Sequence, residues 1–135
     1  MGTPAVSKPC LIDTNVLIDF LSQRPAPHFI ERVQSALVLG SSLSIVTTIE
    51  LLGWRLHTEQ SRTDAANLLA RMKEYPLTHQ EAKIAIALRT QSAIKLGDAI
   101  IAATALVAGL PLMTRNTGDF KRIEGLEIID PFAVS

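Results

Sequence analysis

Apolar residues in this chain fall into short unbroken runs separated by amphipathic stretches. Residues 9–12 (Pro-Cys-Leu-Ile) show no polar alternation, the pattern of a parallel strand covered on both faces. Val16, Leu17, Ile18, Phe20 and Leu21 then read as the start of a helix, and Arg24-Pro25-Ala26-Pro27 predicts its break. A second helix is expected over residues 28–39, with Phe29, Val33, Ala36 and Leu37 on its apolar side. Gly40-Ser41-Ser42 reads as a turn and residues 43–46 as a second strand. Thr47 or Thr48 is the expected cap of the next helix, which places Glu50 in its first turn and Ile49, Leu52, Gly53 and Leu56 on one face.

Ser61 is the expected cap of the following helix, with Asp64 three residues on, and Ala65, Leu68, Leu69 and Met72 recur at spacings of three and four. Residues 75–77 read as a third strand or an extended link. Thr78 with Glu81 forms a capping-box pattern for a helix ending near Thr90. Gly97 separates that region from a helix over residues 98–108, apolar nearly all round and therefore expected to be covered on several sides. Gly109 fits its C-terminal cap and Pro111 the restart. Residues 112–114 and 126–129 read as strands, with a turn at Asn116-Thr117-Gly118. Strands separated by helices predict an α/β fold, a short and mainly parallel sheet with helices on both faces. At 135 residues the chain fits one domain, expected over residues 9–135 behind a loose tail at residues 1–8.

Composition narrows the function classes. An apolar fraction of 47% against 19% charged excludes a disordered chain. Only 4% of residues are aromatic, so no base-stacking platform of several aromatics can be built. Zero formal net charge argues against nucleic-acid binding over the whole surface, while leaving room for a local basic rim. The single Cys10 excludes an intrachain disulfide framework and a Cys-rich zinc site, and reads as a small buried thiol. The N-terminal residues hold no long apolar stretch of the secretory type. Residues 99–113 are interrupted by Thr104, Gly109 and Pro111 and are too short for a membrane span, so a cytosolic protein without a membrane is expected.

Chemistry concentrates in four carboxylates at the ends of apolar segments: Asp13, Glu50, Asp98 and Asp119. Each alone has an ordinary explanation. Asp13 and Asp98 can cap helices, Glu50 can favour a helix N-terminus, and Asp119 can serve a turn. In a parallel sheet, however, segments that follow strands converge at one end. Four converging carboxylates repel one another, and one or two Mg2+ or Mn2+ ions would offset that repulsion and attract a phosphodiester. Thr14 and Thr114 could then hold substrate or support the metal ligands, and Asn116 could orient Asp119, water or substrate. Trp54 could cover apolar surface beside the site and His57 could approach a phosphate, although packing is the commoner role for such a histidine. No Gly-rich phosphate loop with Lys-Ser/Thr, no G-x-S-x-G elbow and no second Asp two positions after Asp13 is present, which removes three competing chemistries.

Residues 11–17 (Leu-Ile-Asp-Thr-Asn-Val-Leu), Glu50, residues 96–105 (Leu-Gly-Asp-Ala-Ile-Ile-Ala-Ala-Thr-Ala) and residues 114–120 (Thr-Arg-Asn-Thr-Gly-Asp-Phe) resemble the ordered blocks of a PIN-domain protein. Within that superfamily the chain is similar to the VapC toxins of toxin–antitoxin modules, over nearly its whole length. The resemblance implies a three-layer α/β/α fold and Mg2+- or Mn2+-dependent endoribonuclease activity, leaving a 5′-phosphate and a 3′-hydroxyl. It matches the family's acidic positions to Asp13, Glu50, Asp98 and Asp119, as metal ligands and catalytic residues, and its frequent asparagine to Asn116. It also implies an RNA substrate, a homodimer, and a cognate VapB-like antitoxin assembling with the toxin. Gly97 before Asp98 is the main local variation. Arg115 and Lys95 rank first among phosphate-rim residues, ahead of Arg55, Arg62, Lys121 and Arg122, because they adjoin the acidic blocks. A binding module without catalysis, a DNA-directed nuclease and an RNA-processing enzyme are the competing functions.

Overall fold

A computed structural model of the chain describes residues 6–23, 26 and 28–133. The elements run β1 (Leu11–Ile12), α1 (Thr14–Leu21), α2 (Phe29–Val38), β2 (Ser42–Ser44), α3 (Ile45–Leu52), α4 (Glu59–Leu69), β3 (Lys73–Tyr75), α5 (His79–Gln91), α6 (Leu96–Ala108), β4 (Leu112–Met113), α7 (Thr117–Phe120) and β5 (Ile128–Ile129). The strands form one sheet in the order β3-β2-β1-β4-β5, and every pairing is parallel.

Side chains alternate across a strand, and that alternation builds the layers. Cys10 and Ile12 join Met113 on one face, packed with Val16 and Leu17 of α1, Phe29, Val33 and Ala36 of α2, Leu51 of α3 and Ala65 of α4. Leu11 and Leu112 point the other way, onto Ile101, Ala102 and Ala105 of α6 and Phe120 of α7. On the outer side of α6, Ala99, Ile100 and Ala103 pack with Ala85 of α5. Helix α6 is therefore covered by the sheet on one side and by α5 on the other, which explains its apolar circumference. The result is the expected three-layer α/β/α arrangement around a short parallel sheet.

Of the N-terminal segment, Met1 to Ala5 lie outside the described residues, Val6 is partly buried against the first core cluster, and Lys8 Nζ donates to Glu127 at 2.8 Å. The expected break at Arg24-Pro25-Ala26-Pro27 also falls outside the described residues except for Ala26. The Thr78–Glu81 capping box forms as predicted, and Gly109 takes the left-handed conformation (φ 68°) at the end of α6.

Several boundaries differ from the sequence reading. The third strand lies at Lys73–Tyr75, ahead of Pro76, which has no N–H to give to a ladder, so only Tyr75 of the expected residues 75–77 is strand, and the last strand is confined to Ile128–Ile129. Ile45 and Val46, β-branched and read as strand, open α3, because the Ser44 hydroxyl accepts from Val46 N–H and caps the helix one turn earlier than Thr47 or Thr48 would. Glu50 consequently sits in the second turn, and Ile49 and Leu56 are exposed where an apolar face was expected. Thr58, not Ser61, caps α4; Ser61 instead supplies the reciprocal half of that capping box. Finally, α6 starts at Leu96, so Gly97 and Asp98 lie within its first turn and Asp98 is not the cap.

Candidate active site

The chain runs from β1 outward through β2 to β3, then returns to place β4 on the opposite side of β1. This reversal opens a crevice between the carboxyl ends of β1 and β4, where parallel α/β sheets place their ligands. Register pairs Leu11 with Leu112 and Ile12 with Met113. The next residues along, Asp13 and Thr114, therefore meet across the crevice. Thr114 Oγ1 donates to Asp13 Oδ2 at 2.8 Å, and Asp13 N–H donates to Met113 O at 2.9 Å.

Asp13 is the floor of the site, only 3% exposed. It is the N-cap of α1, and its Oδ1 accepts from Thr14 N–H at 2.8 Å. Capping and a cation-facing role are compatible, because a carboxylate has about four acceptor positions and two are used here. Burial is the largest influence on this carboxyl and pushes its pKa above the ordinary aspartate value. Hydrogen bonds from Thr114 and Thr14 hold it down, while the charges of Asp98 and Glu50 push it further up.

Glu50 reaches the same crevice from α3. Thr14 Oγ1 lies 2.7 Å from Glu50 Oε1 and 2.9 Å from Thr47 Oγ1. An ionised carboxylate can only accept, so the single Thr14 proton goes to Glu50 and Thr47 supplies the proton between the two hydroxyls. Gly97 also touches Glu50: a Cβ on Gly97 would stand 3.5 Å from Glu50 Oε2 and 3.6 Å from Val46 Cγ1. Both distances are ordinary van der Waals contact, so α6 runs beside α3 at the level of the carboxylate without the packing requiring glycine there.

Asp98, in the first turn of α6, is half-buried, and its carboxyl is also pushed above the ordinary range. Desolvation is the main cause, Asp119 and Glu50 add to it, and Lys95 opposes it. Asp119 stands on the one-turn helix α7, in place of the loop expected from sequence, and is exposed at the rim. Asn116 Nδ2 donates to Asp119 Oδ2 at 2.7 Å, and Asn116 N–H donates to Thr114 Oγ1 at 3.0 Å. Asp98 thus stands within electrostatic reach of Asp13, Glu50 and Asp119, and Asp13 also of Glu50, in a series graded from a buried floor to an exposed rim. Among the described residues, no three His, Cys, Asp or Glu side chains are drawn together closely enough to hold a metal ion as they stand. The donor set still fits a hard divalent cation: it is all carboxylate oxygen, and its mutual repulsion is of the kind a cation relieves.

The other expected site residues divide. Lys95, the N-cap residue of α6, is exposed and close enough to Asp98 to favour its ionised form. Arg115 Nη1 donates to Asp19 Oδ2 at 2.9 Å, and Asp19 is 6% exposed. The guanidinium therefore anchors the segment after β4 to α1, a role that adjacency to an acidic block did not reveal. Asp19 carried one sequence signal, a lone carboxylate inside the apolar run of α1. His57 and Trp54 lie beyond the end of α3 and not along its face. His57 Nε2 meets Leu51 O at 2.6 Å, Nδ1 meets Ser61 Oγ at 2.8 Å, and the Trp54 ring lies edge-on at 5.1 Å. Both ring nitrogens are occupied, so His57 ties the α3–α4 connection together and does not reach for a phosphate. Cys10 is fully buried and its thiol is pushed up by desolvation, which fits packing and not nucleophilic chemistry.

Among the described residues, no helix is long and apolar enough to cross a membrane. The sequence profile of the PIN domain matches residues 10–126. Ribonuclease VapC10 of Mycobacterium tuberculosis is 36% identical over 130 residues, covering 92% of this chain and 93% of the relative. Ribonuclease VapC1 of Methanocaldococcus jannaschii is 29% identical over 128 residues, covering 89% and 86%. Among solved structures, a toxin–antitoxin complex from Klebsiella pneumoniae superposes with a TM-score of 0.74 at 31% identity, covering 93% of this chain and 99% of that one. A DNA-bound VapBC from Salmonella typhimurium gives a TM-score of 0.79 at 25% identity, with the same coverage. With a profile spanning most of its length and a relative more than 30% identical end to end, the chain belongs to the PIN-domain superfamily and, within it, to the VapC-like toxin–antitoxin family.

Proposed function

We propose that this protein is a divalent-metal-dependent endoribonuclease that acts as the toxin of a toxin–antitoxin pair. The observation that carries the reading is the convergence of Asp13, Glu50, Asp98 and Asp119 at the carboxyl end of the sheet, two of them with carboxyl groups pushed up by burial and by one another. Relatives whose names denote ribonucleases support the reaction class.

In this reading the four carboxylates hold the cation. When bound, Mg2+ or Mn2+ supplies positive charge to a phosphodiester and acidifies a nucleophilic water. The remaining work falls to the chain. Thr114 and Thr14 N–H fix the two oxygens of Asp13, the Thr14 hydroxyl aims Glu50, and Asn116 aims Asp119. Lys95 favours the ionised form of Asp98, against the burial that pushes its carboxyl up. Hydrolysis adds water to phosphorus and breaks the bond to the 3′ oxygen, leaving a 5′-phosphate and a 3′-hydroxyl.

A cognate antitoxin and a second copy of the chain are the proposed protein partners, and the cytoplasm the proposed location. Toxin–antitoxin complexes among the structural neighbours support the first, and exposed Ile49, Trp54 and Leu56 offer apolar surface to either. The test is cleavage of RNA by wild type and Asp13→Asn with Mg2+ or Mn2+. The reading predicts cleavage by wild type alone; equal cleavage by both proteins would overturn it.

A further inference from the structure

Beside Asp119 lies a cleft of about 560 Å3, between the end of α5 with its loop into α6 and the segment after α7. The volume is within the usual range for a small-molecule site. Ile94, Ile123 and Leu88 contribute apolar wall, Lys95 and Arg122 positive charge, and Glu124 a further carboxylate.

We infer that this cleft is a nucleotide subsite, which takes a nucleotide flanking the scissile phosphate and favours adenine or cytosine over uracil there; the inference rests on the ribonuclease reading above. Position is the first argument. Asp119 lines the cleft, and Lys95 both lines it and acts on Asp98, so the cleft adjoins the carboxylate cluster at its Asp119 rim. A chain that crosses the cluster at one phosphate leaves a neighbouring nucleotide in the cleft. Rigidity is the second. Ile123 is rooted in the core cluster under α6, Ile94 in the cluster between α5 and α6, and Leu88 in both. Arg89 Nη1 donates to Ile94 O at 2.8 Å and fixes the backbone of the wall. A preformed apolar wall suits the flat face of an unstacked base, the form in which RNA sequence is read.

Chemistry is the third argument. Lys95 and Arg122 match backbone phosphates, which position a nucleic acid without specifying it. Glu124 can only accept when ionised, and the exocyclic amines of cytosine and adenine are donors it can read, whereas uracil carries a carbonyl oxygen in that place.

Steady-state cleavage of short oligoribonucleotides, varied at one position beside the cut, tests the inference with Arg122→Ala and Glu124→Gln. Both residues are exposed, so thermal midpoints should match wild type. Arg122→Ala should raise KM about 5- to 10-fold with kcat changed less than about twofold. Glu124→Gln should cut the preference for adenine or cytosine over uracil by about fivefold. Unchanged KM and unchanged preference in both variants, alongside normal cleavage, would overturn the subsite and leave the cleft to a polypeptide partner. If wild type cuts no RNA, the ribonuclease reading fails instead. The subsite is then decided by fluorescence anisotropy of the same oligonucleotides with Asp98→Asn and its Arg122→Ala double variant: tenfold weaker binding by the double variant supports it, and equal or absent binding overturns it.

Discussion

Thr114→Val probes the hinge of the site with little change of shape. Thr114 is fully buried; its hydroxyl donates to Asp13 Oδ2 at 2.8 Å and accepts from Asn116 N–H at 3.0 Å. Valine keeps the branched outline and removes both bonds. Loss of a bond to a buried carboxylate costs about 1.5–3 kcal/mol, and loss of the ordinary amide bond adds about 0.5–1.5 kcal/mol. A total of about 2–4 kcal/mol corresponds to a fall in thermal midpoint of about 6–12 °C for a chain of this length, at about 3 °C per kcal/mol. Thr114→Ser keeps the hydroxyl and loses one methyl group, about 1 kcal/mol. The pH dependence adds a signature. The Asp13 carboxyl titrates above its unfolded value, so the folded state holds the proton more tightly and metal-free stability falls as pH rises through that interval. The Thr114 bond opposes this shift, so its removal enlarges it. The gap between Val and Ser variants should widen from about pH 4 to about pH 7. Thermal melts of both variants in chelator at the two pH values measure it. Equal midpoints for Val and Ser, or a gap independent of pH, would refute the assigned bond.

Three further outcomes are expected. Asp98→Asn should raise metal-free stability near neutrality, by no more than about 1 kcal/mol because the group is partly exposed, while abolishing the proposed cleavage; Mn2+ should raise the wild-type midpoint and leave the variant's unmoved in a thermal-shift assay. Asp19→Asn should cost about 1–3 kcal/mol in urea unfolding and lower kcat, by releasing Arg115 and the segment that carries Thr114 and Asn116; unchanged kcat would confine Asp19 to stability. His57→Ala should lower stability by about 1–2 kcal/mol and leave the cleavage rate of folded protein within about twofold, because both ring nitrogens serve the α3–α4 connection.

The sequence made the four carboxylates and the parallel order of elements legible, because strand ends and apolar runs are local patterns. It was weaker where one residue had two plausible partners. Ile45-Val46 looks like strand by branching, yet a single Ser44 hydroxyl turns it into helix. Thr58 and Ser61 are both capping types three residues apart, and the structure uses them as the two halves of one box. Arg115 sits next to an acidic block, but its partner is 96 positions away in a helix that brings Asp19 beneath it. The glycine before Asp98 reads as a break in sequence, yet it lies inside the first turn of α6 beside Glu50. The first two turn on which of several nearby hydroxyls caps a helix and the last two on partners far away in sequence, and periodicity carries no record of either.

Titration of Mn2+ into the metal-free protein, by calorimetry, tests the central claim that four separate segments build one cation site. The account predicts saturable binding by wild type and marked weakening by each of Asp13→Asn, Glu50→Gln, Asp98→Asn and Asp119→Asn. Absence of binding to folded wild type, or wild-type affinity in all four variants, would contradict it.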